Sequence, residues 1–198
     1  MDIRKSCGWP ECRELIRRES GEDEAAAFWA DADRLYRQYI HLARGKKGVG
    51  RAHTMGAAAI GAAYLALKPR IGSARAVTAL TEAMRPASIR KHDRLERMPA
   101  RLFMRAANIV TRVMFSEKAG FQRRWVSDTD TDRRYDLLTC PYVDAFSAMG
   151  CPEVCPAVCA QDDFAYQDMK NGVCFPRKKT LGRGDDRCDF GFTISKSK

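Results

Sequence analysis

From Phe28 to Ala43 the apolar residues Phe28, Trp29, Ala32, Leu35, Tyr36, Tyr39, Ile40 and Ala43 return every three or four positions. That is the period of one helix face. Ser20, followed three residues later by Asp23, predicts the start of this helix, and Gly45 its end. The glycines and lysines of Gly45 to Arg51 predict a mobile loop. Thr54 then caps a helix of small residues ending before Pro69, in which Gly56 and Gly61 call for close helix packing. Ser73 opens a third helix carrying Val77, Leu80 and Met84, and Pro86 and Pro99 bracket a charged surface connection containing His92. After Pro99, Leu102, Phe103, Ala106, Ile109, Val110, Val113 and Met114 form the apolar stripe of a fourth helix closed by Gly120.

Beyond Gly120 the period changes. Phe121 to Val126 and Arg134 to Cys140 read as two strands joined by the Asp-Thr-Asp-Thr-Asp turn at 128–132. Pro141 to Met149 and Pro156 to Met169 read as helices, each with proline in the first turn, where its missing N–H does no harm. Cys188, Phe190, Phe192 and Ile194 alternate with polar or small residues, so the tail is a strand, paired with Val173 to Leu181 across the turn 182–186. The expected fold is α+β: a helical N-terminal half packed on a small antiparallel sheet of two hairpins separated by helices. We expect one domain over 1–198, mostly helical over 1–120, with an α+β part over 121–198 carrying the Cys and Asp motifs.

Composition narrows the setting. With 198 residues and 45% hydrophobic content the chain can bury one good core. The longest apolar run, Met55 to Leu67, is well short of the roughly 20 residues that span a bilayer. Its first twenty residues hold no apolar core run of a secretory signal, so a cytoplasmic location with reduced thiols is expected. The formal charge of +10 draws anions, but the arginines from Arg70 to Arg112 lack the interleaved aromatics on which bases stack. Neither nucleic acid nor a membrane is an expected partner. A homo-oligomer is left open, since the helix at 54–67 can pack within the chain or against a second copy.

Six of eight cysteines fall between Cys140 and Cys188, threaded through acidic residues. On a helix Cys155, Cys159, Asp162 and Tyr166 share one narrow stripe. Pro156 puts Cys155 at the helix start, where free amides favour a thiolate, and Cys159 one turn in, beside Asp162. Cys188 points with Phe190 and Phe192 toward the core or a pocket floor, and Cys140 ends a strand that feeds a helix. Any one of these is equally read as a small core filler. His41, His53 and His92 adjoin no motif and read as structural or solvent-facing.

The series YDLLTCPY (Tyr135 to Tyr142), VCAQDDFAY (Val158 to Tyr166) and RKKTLGRGDDRCDFGF (Arg177 to Phe192) resembles the bacterial L-2-amino-thiazoline-4-carboxylic acid hydrolase family over Leu102 to Ile194. The resemblance implies hydrolysis of a carbon–nitrogen double bond in a small amino-acid-derived metabolite, the namesake opening a 2-aminothiazoline ring to a carbamoyl-cysteine. It also implies that Cys140, Cys159, Asp162, Thr180, Cys188 and Asp189 hold motif positions. A cysteine mechanism suits these residue types. Cys159 is then the candidate nucleophile, Asp162 its proton partner, and Cys188 a third catalytic candidate. Cys140, Thr180, Asp189 and Tyr166 are candidates for lining the pocket, and Arg177 for holding a substrate carboxylate. No cofactor or metal is called for. The roles of Cys7, Cys12, Cys151 and Cys155 stay open. Two rivals remain: a metal or iron–sulfur site on Cys151, Cys155 and Cys159, whose spacing of four suits neither zinc pairs nor ferredoxin runs, and a non-catalytic ligand or redox sensor.

Overall fold

The structure, a computed structural model, describes residues 3–194. Within them run α1 (Ile3–Ser6), α2 (Trp9–Ser20), α3 (Glu22–Tyr39), α4 (Gly48–Ile71), α5 (Ser73–Glu96) and α6 (Ala100–Met114). There follow β1 (Arg123–Asp128), β2 (Asp132–Leu137), α7 (Pro141–Ala148), α8 (Cys155–Tyr166), β3 (Val173–Cys174) and β4 (Cys188–Ile194). The architecture is α+β, as the sequence pattern predicts.

Helix α4 is the axle of the helical part. Its small residues Ala57, Ala58, Ala59, Ala62 and Ala63 are all buried, so it is surrounded on every side rather than amphipathic. Helices α3, α5 and α7 pack around it. At Gly61 an added Cβ would sit 2.6 Å from Met149 Cε and 3.4 Å from Cys151 Sγ, so glycine is what lets the chain after α7 lie against this helix. Trp9, fully buried, donates from Nε1 to the Ala59 carbonyl at 3.0 Å and meets Trp29 edge to face at 5.4 Å. Truncating such a side chain to alanine costs about 3–5 kcal/mol. The small-residue helix is thus spent inside the chain and offers no face to a second copy.

The four strands form one antiparallel sheet in the order β1-β2-β4-β3. Tyr135 pairs with Phe190 and Leu137 with Cys188. A second apolar cluster joins this sheet to α6 through Phe103 against Phe192, with Phe115 against Phe190 behind it. Gly191, at φ 151°, brings β4 so close to β2 that a Cβ there would lie 2.2 Å from the Arg133 carbonyl oxygen. The two apolar clusters interleave along the chain, because α7 and the first turn of α8 return to the helical cluster after the first hairpin.

Several expected boundaries move. Ser20 closes α2 rather than starting α3, whose cap is Gly21; α2 was hidden among charges because only Trp9, Cys12 and Ile16 mark its buried stripe. Helix α4 already begins at Gly48, and Thr54 lies inside it, its hydroxyl donating to the Gly50 carbonyl at 3.0 Å. Pro69 and Pro86 do not end their helices: both rings face solvent, and burial of Leu80, Met84 and Ser88 carries α5 past Pro86 to Glu96. The charged connection around His92 is therefore helical. Strand β3 stops at Cys174 instead of reaching Leu181. Pro176 has no N–H to pair, and the amides of Lys178 and Lys179 turn to the Asp189 carboxylate at 2.9 and 2.6 Å. On α6 the predicted apolar stripe splits: Phe103 and Met104 are buried, whereas Leu102, Ile109, Val110 and Val113 lie at the surface.

Candidate active site

Helix α8 carries Cys155 as its first residue and Pro156 in its first turn. One side is pinned to α5, where Ser88 donates to Gln161 Oε1 at 2.9 Å and Gln161 Nε2 donates to the Thr81 carbonyl at 3.1 Å. The other side presents Cys155, Cys159, Asp162 and Tyr166 in line. A turn at Leu181–Arg183 lies across that side. Its Gly182 comes so near that a Cβ would stand 2.7 Å from the sulfurs of both Cys155 and Cys159. The neighbouring Leu181 amide donates to Cys188 Sγ at 3.2 Å. Cys140, at the cap of α7, lies near enough to Cys188 and Cys159 to feel the charge of both. Four thiols from three stretches of the tail therefore converge under one turn.

They are not equivalent. Cys155 donates its S–H to Cys159, which holds the Cys159 thiol below its ordinary value against the opposing effect of burial. The Arg177 guanidinium and the Thr180 hydroxyl push the same way. Cys155, as the donor, is driven far up. Burial pushes Cys140 up to about 12 and Cys188 up to about 11. The helix start was expected to favour a thiolate at Cys155; the lowered thiol is instead Cys159, because Cys155 spends its proton on it. Cys159 is also half-buried rather than sealed, as a thiol that meets a small molecule has to be.

Arg177 is not a surface residue. With its side chain only 3% exposed, it donates to the Cys159 carbonyl at 2.6 Å, to Asp163 at 2.5 Å and to Asp162 at 3.2 Å. Its fork is occupied within the chain, so an open pair of bonds for a substrate carboxylate is not what this geometry provides. Asp163 is held further by Arg183 at 3.1 Å. Asp162, with the single longer bond, has its carboxyl raised by burial, opposed by Arg177 and Lys91, although a third of its side chain remains exposed.

Thr180 is fully buried, and its hydroxyl makes no hydrogen bond of ordinary geometry while facing the Cys159 sulfur. Tyr166 stands at the far end of the stripe, with the Lys91 ammonium 4.4 Å from its ring centre. Asp189 lies on the opposite face of β4 from Cys188, and its carboxylate ties down Lys178 and Lys179. It steadies the approach to the turn and is not among the groups around the thiols. The structure thus gathers Cys140, Cys159, Asp162, Thr180 and Cys188, with Cys155 and Arg177. Cys7, Cys12 and Cys151 belong to the helical core.

Sequence reading passed over Asp163, Lys91 and Gly182. The doubled aspartate and the Thr-Leu-Gly turn were visible signals for two of them; Lys91 was hidden in a segment read as a connection. His53 also touches the motif region after all, with Nδ1 3.3 Å from the Tyr142 hydroxyl and Nε2 3.0 Å from the Met114 carbonyl. Burial lowers its pKa, and both nitrogens are engaged, which makes it structural. Among the described residues no three His, Cys, Asp or Glu side chains are arranged to hold a metal ion. The larger clefts, of about 520 Å³ between α2 and α5 and about 720 Å³ beside the start of α4, lie away from the thiols. Among the described residues, Cys159 is the cysteine whose pKa is lowered, and it stands beside a carboxyl raised by burial, which makes this cluster the candidate site.

The family model for L-2-amino-thiazoline-4-carboxylic acid hydrolase matches residues 52–192. The chain belongs to this family. It is accordingly a hydrolase acting on a carbon–nitrogen bond of a small molecule. The match begins within α4, earlier than the tail motifs suggested, so the small-residue helix and α5 are part of the hydrolase unit along with the thiol cluster. No curated protein and no solved structure is significantly similar to the chain. No helix among the described residues is long and apolar enough to cross a membrane.

Proposed function

We propose that this hydrolase opens a thiazoline-like or other amidine carbon–nitrogen centre by cysteine catalysis at Cys159. The observation that supports it is the half-buried Cys159 thiol, its pKa lowered by a neighbouring S–H and a buried guanidinium, beside a carboxyl of raised pKa.

For a protonated 2-aminothiazoline the steps balance as follows. The Cys159 thiolate forms a bond to the amidinium carbon, and the carbon–nitrogen π electrons move to nitrogen, giving a neutral tetrahedral adduct. The ring carbon–sulfur bond breaks, and the departing sulfur takes the proton of Asp162. Water then adds to the carbon still bound to Cys159, giving one proton to the Asp162 carboxylate. Collapse releases the Cys159 thiolate and leaves a carbamoyl group, with the amidinium's extra proton passing to solvent. Cys155 supplies the hydrogen bond that makes Cys159 a good leaving group, and Thr180 a second donor. Lys91, exposed beside Asp162 and over the Tyr166 ring, is the cation that meets a substrate carboxylate, while Arg177 keeps Asp162 and the α8 backbone in place.

The test is release of free thiol from 2-amino-thiazoline-4-carboxylate, followed with a thiol reagent, together with intact-protein mass in the presence of substrate. Wild type should turn over and show an adduct on the peptide holding Cys159. Cys159→Ala should fold and do neither, since the change removes little volume. Turnover by Cys159→Ala at the wild-type rate would remove the proposal.

A further inference from the structure

Tyr166, the last member of the thiol stripe, also forms one wall of a cavity of about 190 Å³ between α5, α6 and β4. Its other walls include Phe103, Ala106, Thr111 and Phe192, and the exposed Lys91 stands at its rim. Phe103 and Phe192 are buried members of the second apolar cluster, so the cavity indents the core rather than lying along a helix surface. Thr111 spends its hydroxyl proton on the Ala107 carbonyl at 2.6 Å, which leaves the interior apolar and the rim charged. The rings meet edge to face, Phe192 lying 4.9 Å from Phe103 and 5.0 Å from Tyr166. Such an arrangement receives a further ring in the same geometry. Since a dry cavity of roughly 150 Å³ takes up benzene, this one has room for a phenyl group.

Position decides which molecule brings that group. Cys159 and Tyr166 lie about 10 Å apart along the axis of α8. Lys91 serves the space between them: its ammonium is 4.4 Å from the Tyr166 ring centre, and Asp162 feels its charge. A substrate with its amidine carbon at Cys159 and its carboxylate at Lys91 therefore ends at the mouth of the cavity. An unsubstituted aminothiazoline carboxylate stops there and leaves the apolar walls unused. We propose, resting on the reading of Cys159 and Lys91 above, that the substrate carries an aryl group of phenyl size on the carbon next to the one bearing its carboxylate, seated among Tyr166, Phe103 and Phe192. The bonds that form and break in the hydrolysis are unchanged.

Turnover and binding test this separately. In kcat/KM, 5-phenyl-2-amino-thiazoline-4-carboxylate should exceed the unsubstituted compound by roughly tenfold or more, as burial of one apolar side chain allows. Ala106→Leu, at a half-buried helix position that accepts leucine, fills the cavity and should bring the ratio of the two toward one. Binding of 3-phenylpropanoate, which has the carboxylate and the ring but no amidine carbon, is read by calorimetry on the wild-type chain. It should bind roughly tenfold or more tighter than acetate and than the bulkier 3-(2-naphthyl)propanoate, and Lys91→Met should lose that binding. This size series holds whether or not Ala106→Leu folds. If neither thiazoline is hydrolysed but 3-phenylpropanoate binds with this dependence on size and on Lys91, the catalytic reading falls and the cavity assignment is supported. Hydrolysis of both thiazolines with equal kcat/KM, or a phenyl ring bound no better than acetate or the naphthyl compound, would overturn the aryl proposal and leave catalysis at Cys159 untouched.

Discussion

Cys155 donates its S–H to the sulfur of Cys159, and Gly182 lies over both. The relationship divides two chemically identical side chains into a donor with a raised pKa and an acceptor with a lowered one. Cys155→Ala removes the donor, so the Cys159 thiol should climb back toward its ordinary value of 9.0. The thiolate is the reactive form, so both iodoacetamide labelling of Cys159 and kcat/KM should show their acidic limb moved to higher pH. Cys155→Ser, which keeps a donor, should leave the limb near its wild-type position. An unmoved limb in Cys155→Ala would show that the second sulfur does not set the reactivity of the first.

The turn over the thiols tolerates no side chain at its centre. Gly182→Ala places a methyl 2.7 Å from two sulfurs, and either the turn or the cysteines must move. Overpacking of this kind costs about 1–3 kcal/mol, and the Leu181 amide would be drawn off Cys188. We expect a measurable fall in urea midpoint together with a loss of turnover much larger than that fall explains. A Gly182→Ala enzyme of full activity would mean that the turn is only a cover.

Arg177 ties the segment after β3 to α8 through Asp162, Asp163 and the Cys159 carbonyl. Removing one partner of a buried ion pair leaves the other uncompensated, at about 3 kcal/mol. Arg177→Met should therefore destabilise the fold by that order in urea unfolding, part of it spared because Asp162 keeps some solvent. Arg177→Lys should recover charge but not the fork, leaving Asp163 held by Arg183 alone.

Local rules carried the fold far and then failed for identifiable reasons. The hairpin at 123–137, the helices after Pro141 and Pro156 and the alternating tail strand were legible because turn residues and period agree there. Helix α2 was not, since three buried residues among charges leave little pattern. Pro86 misled because its ring points to water while the packing of α5 on α8 holds the helix together. In the site, the stripe Cys155, Cys159, Asp162 and Tyr166 could be read from spacing alone. The pairing of the two sulfurs, the burial of Arg177 and the position of Gly182 depend on a turn crossing from another part of the chain, which no local pattern encodes.

The start of α8 is moored to α4 by Glu153, whose carboxylate accepts from the Tyr64 hydroxyl at 2.6 Å and from Lys68 at 2.9 Å. These two donors, Tyr64 first, hold its folded pKa down to about 2 against an ordinary 4.5. A depressed carboxylate stabilises the fold above its unfolded pKa and loses that contribution as pH falls through the folded one. The Glu153 contribution should thus be whole above about pH 4.5 and gone near pH 2. Its size is reduced by solvent, since 36% of the side chain is exposed. Glu153→Gln should melt lower than wild type at neutral pH, and the gap in Tm should close steadily across that acid window. A gap that stays constant down to the lower limit would show that Glu153 acts by packing and not by its charge, and the mooring of the thiol helix would have to be sought in Val154 and the buried Cys151 instead.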